Sequence, residues 1–225
     1  MESYMNRISN TGIVPVVKIL EKEDAYPLAK ALLNGGIDVI EVTYRSEHAT
    51  SAIQTISEQL PDMLVGAGTV LSVEQAKEAV EAGAKFIITP GFNTKVVQWC
   101  LDHDVEVYPG VSTASEVEMA LSMGLTQLKF FPAESSGGAK KLKDLSAPYA
   151  NVHFMSTGGI NTKNMHDYLS LPNVEAIGGS FMLPNDLVVA KDWDGIEALS
   201  KAAIKSLLDF QLIHVGINTN SPEES

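Results

Sequence analysis

Two textures alternate along the chain. Short apolar runs, rich in β-branched residues, occur at Ile13–Ile19, Val39–Thr43, Leu64–Ala67, Phe86–Thr89, Val105–Tyr108, Leu125–Phe131, Val152–Met155 and Val174–Ile177. Most are flanked by glycine, proline, asparagine or aspartate, and each predicts a buried strand. Between them lie stretches with helical spacing. Ala25, Leu28, Ala29, Leu32 and Leu33 form one apolar stripe, and Gly35-Gly36 stops it. Ser72-Val73-Glu74-Gln75 and Thr113-Ala114-Ser115-Glu116 match the capping-box pattern, each ahead of a helix face that Gly83 or Gly124 ends. Strands that are apolar on both faces, each followed by a helix, predict a parallel sheet. About eight such units point to a single-domain α/β fold, a (β/α)8 TIM barrel. Its expected extent is residues 1–212, leaving a polar tail at 213–225 that ends GINTNSPEES. A doubly wound open sheet is the alternative. It loses ground because the first turn lacks G-x-G-x-x-G, and Gly66-Ala67-Gly68, after the third strand, supplies only the first part.

The composition agrees with one folded domain. Of 225 residues, 45% are hydrophobic and 20% charged, which excludes a disordered or collagen-like chain. No apolar run approaches the ~18 residues a membrane helix needs. MESYMNRISN has no apolar h-region, so no secretory signal is expected there. The lone Cys100 has no disulfide partner within the chain, and no N-x-S/T acceptor occurs. Both features predict a reducing, cytoplasmic setting. The net charge of −12 argues against nucleic acid as a partner. An anionic small molecule stays open, because a few local cations or backbone N–H groups suffice to hold it.

Side chains in a barrel alternate between the outer helix layer and the interior. If Ile40 and Val42 face the helices, then Val39, Glu41, Thr43 and Arg45 share the opposite parity, and Glu41 points into the barrel. The same argument sets Leu128 and Phe130 outward and Lys129 inward, between Gln127 and Phe131. Buried Lys and Glu are costly unless paired or functional, so the two are either a structural ion pair or reaction chemistry. The C-terminal ends of the strands carry the chemistry in this fold. There an amine in an apolar interior tends toward its neutral form and can attack a ketone to give a Schiff base. The iminium then accepts the electrons of a breaking C–C bond, and a base such as Glu41 takes and returns protons.

Glycines supply a second feature. Ser156-Thr157-Gly158-Gly159-Ile160 follows the seventh predicted strand and Gly178-Gly179-Ser180 the eighth. Loops at those positions commonly cradle a phosphate with backbone N–H groups and a short helix N-terminus, though they also serve as tight turns. Arg45 is either a surface arginine or a bidentate grip on a carboxylate. Thr69 and Pro90 close the third and fourth strands. No metal is expected: His48, His103, His153, His166 and His214 lack ligand spacing, and Asp102-His103-Asp104 leads into a strand on the face opposite the chemistry. Cys100 and the scattered methionines are expected to be packing residues.

Glu41-Val42-Thr43-Tyr44-Arg45, Gly66-Ala67-Gly68-Thr69-Val70, Lys129-Phe130-Phe131-Pro132-Ala133-Glu134 and Thr157-Gly158-Gly159 occur in that order. From about Ile13 to Leu208 the chain resembles the aldolases of 2-keto-3-deoxy-6-phosphogluconate and 4-hydroxy-2-oxoglutarate. The resemblance implies a metal-free class I aldolase on a TIM barrel, a homotrimer in the cytoplasm, and a place in the Entner–Doudoroff pathway of carbohydrate metabolism. It assigns the Schiff base to Lys129 and acid/base work to Glu41. It gives pyruvate binding to Arg45 and Thr69, lines that pocket with Pro90, counts Phe131 among the substrate-binding residues, and gives stereochemical choice to Thr157. Phosphate falls to Gly158, Gly159, Gly179 and Ser180, with Lys18 a weaker candidate. No cofactor is implied beyond the covalent lysine imine. The implied substrates are small keto acids and sugar phosphates: 2-keto-3-deoxy-6-phosphogluconate, cleaved to pyruvate and glyceraldehyde 3-phosphate, and 4-hydroxy-2-oxoglutarate, cleaved to pyruvate and glyoxylate. The alternatives are the 2-keto-3-deoxy-6-phosphogalactonate aldolase and a non-catalytic sugar-phosphate-binding barrel.

Overall fold

A computed structural model describes residues 3–208. The tail expected at 213–225, and the domain boundary at 212, lie outside the described residues. The strands are β1 (Ile13–Val17), β2 (Val39–Thr43), β3 (Leu64–Gly68), β4 (Phe86–Ile88), β5 (Glu106–Tyr108), β6 (Gly110–Val111), β7 (Gln127–Phe130), β8 (His153–Thr157) and β9 (Val174–Gly179). The helices are α1 (Tyr4–Thr11), α2 (Ala25–Asn34), α3 (Ala49–Gln59), α4 (Val73–Glu81), α5 (Thr94–Asp102), α6 (Ala114–Ser122), α7 (Gly138–Ser146), α8 (Met165–Leu169), α9 (Asn185–Ala190) and α10 (Trp193–Leu208).

The sheet runs β5-β4-β3-β2-β1-β9-β8-β7-β6. Every recorded pair is parallel, from β1 with β2 round to β8 with β9. Its two ends, β5 and β6, are consecutive in the chain and separated only by Pro109. They act as one stave bent at a residue that cannot donate a ladder hydrogen bond. β5 pairs with β4 and β6 with β7, while the Lys129 N–H donates to the Pro109 carbonyl at 2.9 Å. The ring thereby closes as an eight-stave TIM barrel. The expected fifth strand, Val105–Tyr108, is one half of this bent stave.

Two cores follow from the alternation of side chains. The outer one, between strands and helices, includes Ile40, Val42, Leu128 and Phe130. The inner one fills the barrel with Val14, Val39, Leu64, Phe86, Ile88, Tyr108, Met155 and Ala176, and takes in Met5 and Ile8 of α1. α1 is thus a plug across the N-terminal end of the barrel. Ser3 caps it by accepting from the Met5 N–H at 3.2 Å, and Gly12, at φ +72°, ends it. Its eight residues carry an apolar stripe too short for periodicity to reveal.

Several expected boundaries shift for local reasons. β1 stops at Val17, and Ile19 is apolar because it packs in the outer core beyond the strand. Leu125 falls outside β7, its N–H closing α6 on the Ala120 carbonyl at 3.0 Å. The capping box at Thr113 forms in full with Glu116. The one at Ser72 forms by half: Ser72 accepts from the Gln75 N–H, but the Gln75 side chain turns to the Leu71 N–H instead.

Candidate active site

Glu41 is the third residue of β2 and Lys129 the third of β7. In the closed ring these staves face each other, with β1, β9 and β8 between them on one side. The two side chains meet at the centre, as their parity predicts. Lys129 Nζ lies 3.1 Å from Glu41 Oε1 and 3.1 Å from Oε2. The lysine side chain is 5% exposed and the glutamate 1%. Lys129 Nζ also stands 5.4 Å from the centre of the Phe131 ring. The carboxylate stands within reach of the lysine's protons, and the amine must lose one before it can form an imine.

The G-x-G of β3 makes this meeting possible. A Cβ on Gly68 would lie 2.0 Å from Glu41 Oε1, and one on Gly66 would lie 2.0 Å from the Phe86 ring. Both glycines face inward, so the strand gives up two side chains to admit a carboxylate above and an aromatic ring below. Their role is packing rather than nucleotide binding.

The rim above the pair collects the other candidates. Arg45, exposed, donates from Nε to Thr43 Oγ1 at 3.1 Å. It lines a cavity of about 400 Å³ together with Lys18 and Ser180. Thr69 follows β3 at φ +54°. A β-branched residue in the left-handed region is strained, and such strain gathers at functional sites. The preceding carbonyl, Gly68, accepts the Tyr44 N–H at 2.8 Å, which puts Thr69 beside the β2 end that leads to Arg45. Pro90 is half-buried past β4, and Gly110 lets the bent stave close on it, since a Cβ there would sit 2.2 Å from the Pro90 carbonyl oxygen. Phe131 is half-buried just past β7.

Thr157 ends β8 with the inward parity of Met155 and is 5% exposed. Its hydroxyl has no partner among the described residues. Gly178 leaves it room, since a Cβ there would lie 2.3 Å from the hydroxyl oxygen. Beyond it, Gly158 at φ +112° and Gly159 at φ +80° adopt the left-handed backbone that glycine tolerates. Their carbonyls are committed to protein donors. Gly158 accepts the Glu134 N–H at 3.0 Å, and Gly159 accepts Asn164 Nδ2 at 3.2 Å. Thr157 likewise accepts the Ala133 N–H at 2.8 Å. Gly178 and Gly179 belong to β9 itself, and only Ser180 reaches the turn. No helix starts at Ser180: the chain turns there through a Leu183 N–H to Ser180 carbonyl bond, and α9 begins at Asn185. The expected short-helix N-terminus is therefore absent at this loop among the described residues.

The structure does not gather every candidate into one cavity. Pro90 lines a separate hollow with Thr89 and Asn93, and the Gly158-Gly159 turn lies outside the cavity of Arg45, Lys18 and Ser180. Cys100 is fully buried on α5, and burial pushes its thiol up to about 12, so it is inert as a nucleophile at neutral pH. Asp102 ends α5, and His103 and Asp104 lie between it and β5, at the N-terminal end of the strands. No group of three or more His, Cys, Asp or Glu among the described residues could hold a metal ion. Sequence reasoning gave Thr43 no task, although its parity with Glu41 and Arg45 was the available signal.

Known proteins resemble this one across nearly its whole length. Residues 4–199 match the family model described as KDPG and KHG aldolase. The chain is 44% identical over 205 residues to the 2-dehydro-3-deoxy-phosphogluconate aldolase of Treponema pallidum, covering 91% of this chain and 98% of the relative. It is 43% identical over 199 residues to the KHG/KDPG aldolase of Escherichia coli K12, covering 88% and 93%. A KDPG aldolase from Legionella pneumophila, crystallised with pyruvate captured at low pH as a covalent carbinolamine, superposes with a TM-score of 0.87 at 39% identity, covering 90% of this chain and 99% of that one. The closed barrel, the buried lysine–glutamate pair and this agreement along the sequence lead to one conclusion: the chain belongs to the KDPG and KHG aldolase family and is an aldolase.

Proposed function

We propose that this protein is a class I aldolase that cleaves 2-keto-3-deoxy-6-phosphogluconate to pyruvate and glyceraldehyde 3-phosphate, and also 4-hydroxy-2-oxoglutarate to pyruvate and glyoxylate. The observation that carries the reading is the 3.1 Å contact of Lys129 Nζ with both carboxylate oxygens of Glu41 inside the barrel. Transfer of a proton from the ammonium to Glu41 frees the amine. The amine adds to the C2 ketone, Glu41 gives the proton it took to the departing hydroxyl and is a carboxylate again, and the carbinolamine loses water to give the iminium. Glu41, acting through a water, takes the proton of the C4 hydroxyl as the C3–C4 bond breaks. The bonding electrons pass into the iminium and leave an enamine, and the aldehyde departs. Glu41 then returns a proton to the enamine carbon, and hydrolysis releases pyruvate and the free lysine. The iminium is the electron sink, so this route draws on no metal ion and no separate cofactor.

Arg45 and Thr69 hold the substrate carboxylate, while Phe131 and Pro90 line the pocket around the pyruvyl part. The unpartnered Thr157 hydroxyl is suited to the C4 hydroxyl and its configuration. The Gly158-Gly159 turn has its carbonyls turned to protein donors, which favours offering N–H groups to an anion. Gly179, at the end of the neighbouring strand, and Ser180, just past it, complete that phosphate site. Lys18 lends a positive charge across the cavity it shares with Ser180.

Borohydride reduction in the presence of pyruvate tests the Schiff base. The expected product is a reduced pyruvyl adduct on the peptide carrying Lys129. An adduct on Lys18 or Lys140, or none, overturns the assignment. Ser180→Asp tests the phosphate site by setting a carboxylate against the dianion. It should lower kcat/KM for the phosphorylated substrate by roughly 10²-fold and leave 4-hydroxy-2-oxoglutarate cleavage much less affected. Equal losses would mean general damage, and no loss would move the phosphate elsewhere, with Lys18 the first residue to examine. Parallel assays of gluconate- and galactonate-series substrates read the C4 preference.

We further propose a cytoplasmic homotrimer acting in the Entner–Doudoroff pathway. Support for the compartment comes from the single, buried cysteine. Support for association comes from apolar side chains left at the surface, Leu71 at 56% and Met119 at 42% exposure. Light scattering should return three times the chain mass of 24.2 kDa.

A further inference from the structure

Thr43 is fully buried at the end of β2, one alternation above Glu41 and one below Arg45. A threonine hydroxyl has a single hydrogen. Here it goes to the Val17 carbonyl on β1, at 2.8 Å. The hydroxyl oxygen can therefore meet Arg45 only as an acceptor, and it does, from Arg45 Nε at 3.1 Å. The result is a directional relay running from the arginine Nε–H to the threonine oxygen and from the threonine O–H to the strand carbonyl. It has one sense and cannot be reversed, because arginine offers no acceptor.

This relay decides how Arg45 presents itself. A guanidinium can grip a carboxylate side-on, through Nε and one Nη, or end-on, through both Nη groups. With Nε spent on Thr43, only the end-on fork remains. Arg45 is otherwise an exposed side chain with several rotatable bonds, standing where two rim cavities adjoin. Its guanidinium is anchored through Thr43 to the rigid β1–β2 ladder, where Val17 pairs with Val42.

We infer that Thr43 is a positioning residue for carboxylate recognition: it locks Arg45 by Nε so that the two Nη groups meet the substrate carboxylate end-on. The inference rests on the reading of Arg45 as the carboxylate grip. It also explains why three residues at every second position carry three different tasks, with a base at 41, an anchor at 43 and a clamp at 45. Thr43 itself touches neither the ketone nor the lysine.

A double-mutant cycle separates this inference from the reading beneath it. The readouts are KM and kcat for both keto acids, and the pyruvate concentration giving half-maximal borohydride inactivation. Thr43→Val keeps the shape and removes the hydroxyl. It should raise KM and half-saturating pyruvate about tenfold, with a smaller fall in kcat. The rise should be the same for the phosphorylated and the non-phosphorylated substrate, since both carry the carboxylate. Thr43→Ser keeps the hydroxyl and should restore binding to within about threefold of the parent. In an Arg45→Ala background, Thr43→Val should add no further loss. Additive losses, or a Thr43→Val effect confined to kcat, would overturn the positioning role. A Thr43→Ser variant as weak as Thr43→Val would instead assign the residue to packing. Normal binding in Arg45→Ala alone would sink the carboxylate-grip reading first, and so marks that failure apart. Thermal melts of each variant keep a folding defect from passing as a binding one.

Discussion

The barrel interior has two ends built from the same strands and opposite in chemistry. On β2 the inward positions run Val39, Glu41, Thr43, and on β8 they run Met155, Thr157. One alternation along a strand, about 6–7 Å, separates an oil-like layer from a reactive one. The lower layer, with Phe86 tilted against Tyr108 at 5.6 Å between ring centres, is sealed by Met5 and Ile8 of α1. The Tyr108 hydroxyl donates to Glu106, which also accepts the Tyr4 N–H at 2.9 Å, so the polar groups of the plug are met outside the apolar layer. The upper layer buries a lysine and a glutamate that satisfy each other and a threonine hydroxyl that has no described partner. The floor spends its burial on stability. The mouth gives up some stability to hold charges in place before a substrate arrives.

Exchanging the character of the two ends tests this division. The largest effect is expected for Lys129→Met. It removes the nucleophile and should cut kcat by roughly 10⁴-fold or more, with the fold retained in circular dichroism. Next comes Ile8→Ala in the plug. It should lower the free energy of unfolding by about 2–5 kcal/mol in urea titration while kcat changes little, because the lost side chain lies at the far end from the reacting atoms. A fall in kcat as large as the fall in stability would deny that the ends are separable. Glu41→Gln should lower kcat by at least ~10²-fold yet still allow some pyruvate to be trapped on Lys129, since the proton transfers at C4 and at the enamine need an ionisable group, whereas a buried amine without its carboxylate neighbour can give its proton to water and still add. Near-normal turnover would hand the base to water or another residue. The smallest effect sharpens the comparison most. Glu41→Leu combined with Lys129→Met turns the mouth into more floor. It should leave stability unchanged or raise it by about 1–2 kcal/mol, because replacing both members of a buried ion pair avoids stranding either one. A clear loss of stability would mean that the pair helps to hold the barrel together.

Much of this was legible along the chain. Parity alone turned Glu41 and Lys129 inward, because Ile40, Val42, Leu128 and Phe130 are apolar and a strand has only two faces. The repeating strand–helix texture implied a parallel barrel. The Gly158-Gly159 pair was legible as a tight turn or a phosphate cradle, and its positive φ values belong to a turn that glycine tolerates. Other features had no local signature. α1 buries only Met5, Ile8 and Thr11, so its short stripe is silent until the barrel end it closes exists. Gly66-Ala67-Gly68 looked like a fragment of a nucleotide motif, whereas the space it opens belongs to Phe86 and Glu41, which come from two other strands.

The pattern along the chain is enough for the fold class, the facing of the residues on β2 and β7 and the chemical types available at the strand ends. Those follow from local periodicity and from the cost of burying charge. Tertiary structure alone decided that residues 88 positions apart meet at 3.1 Å, since only ring closure sets β2 opposite β7. It decided also that Thr43 should spend its one hydrogen on Val17 and its oxygen on Arg45. A hydroxyl can donate or accept along many directions, and the strand packed beside it selects which.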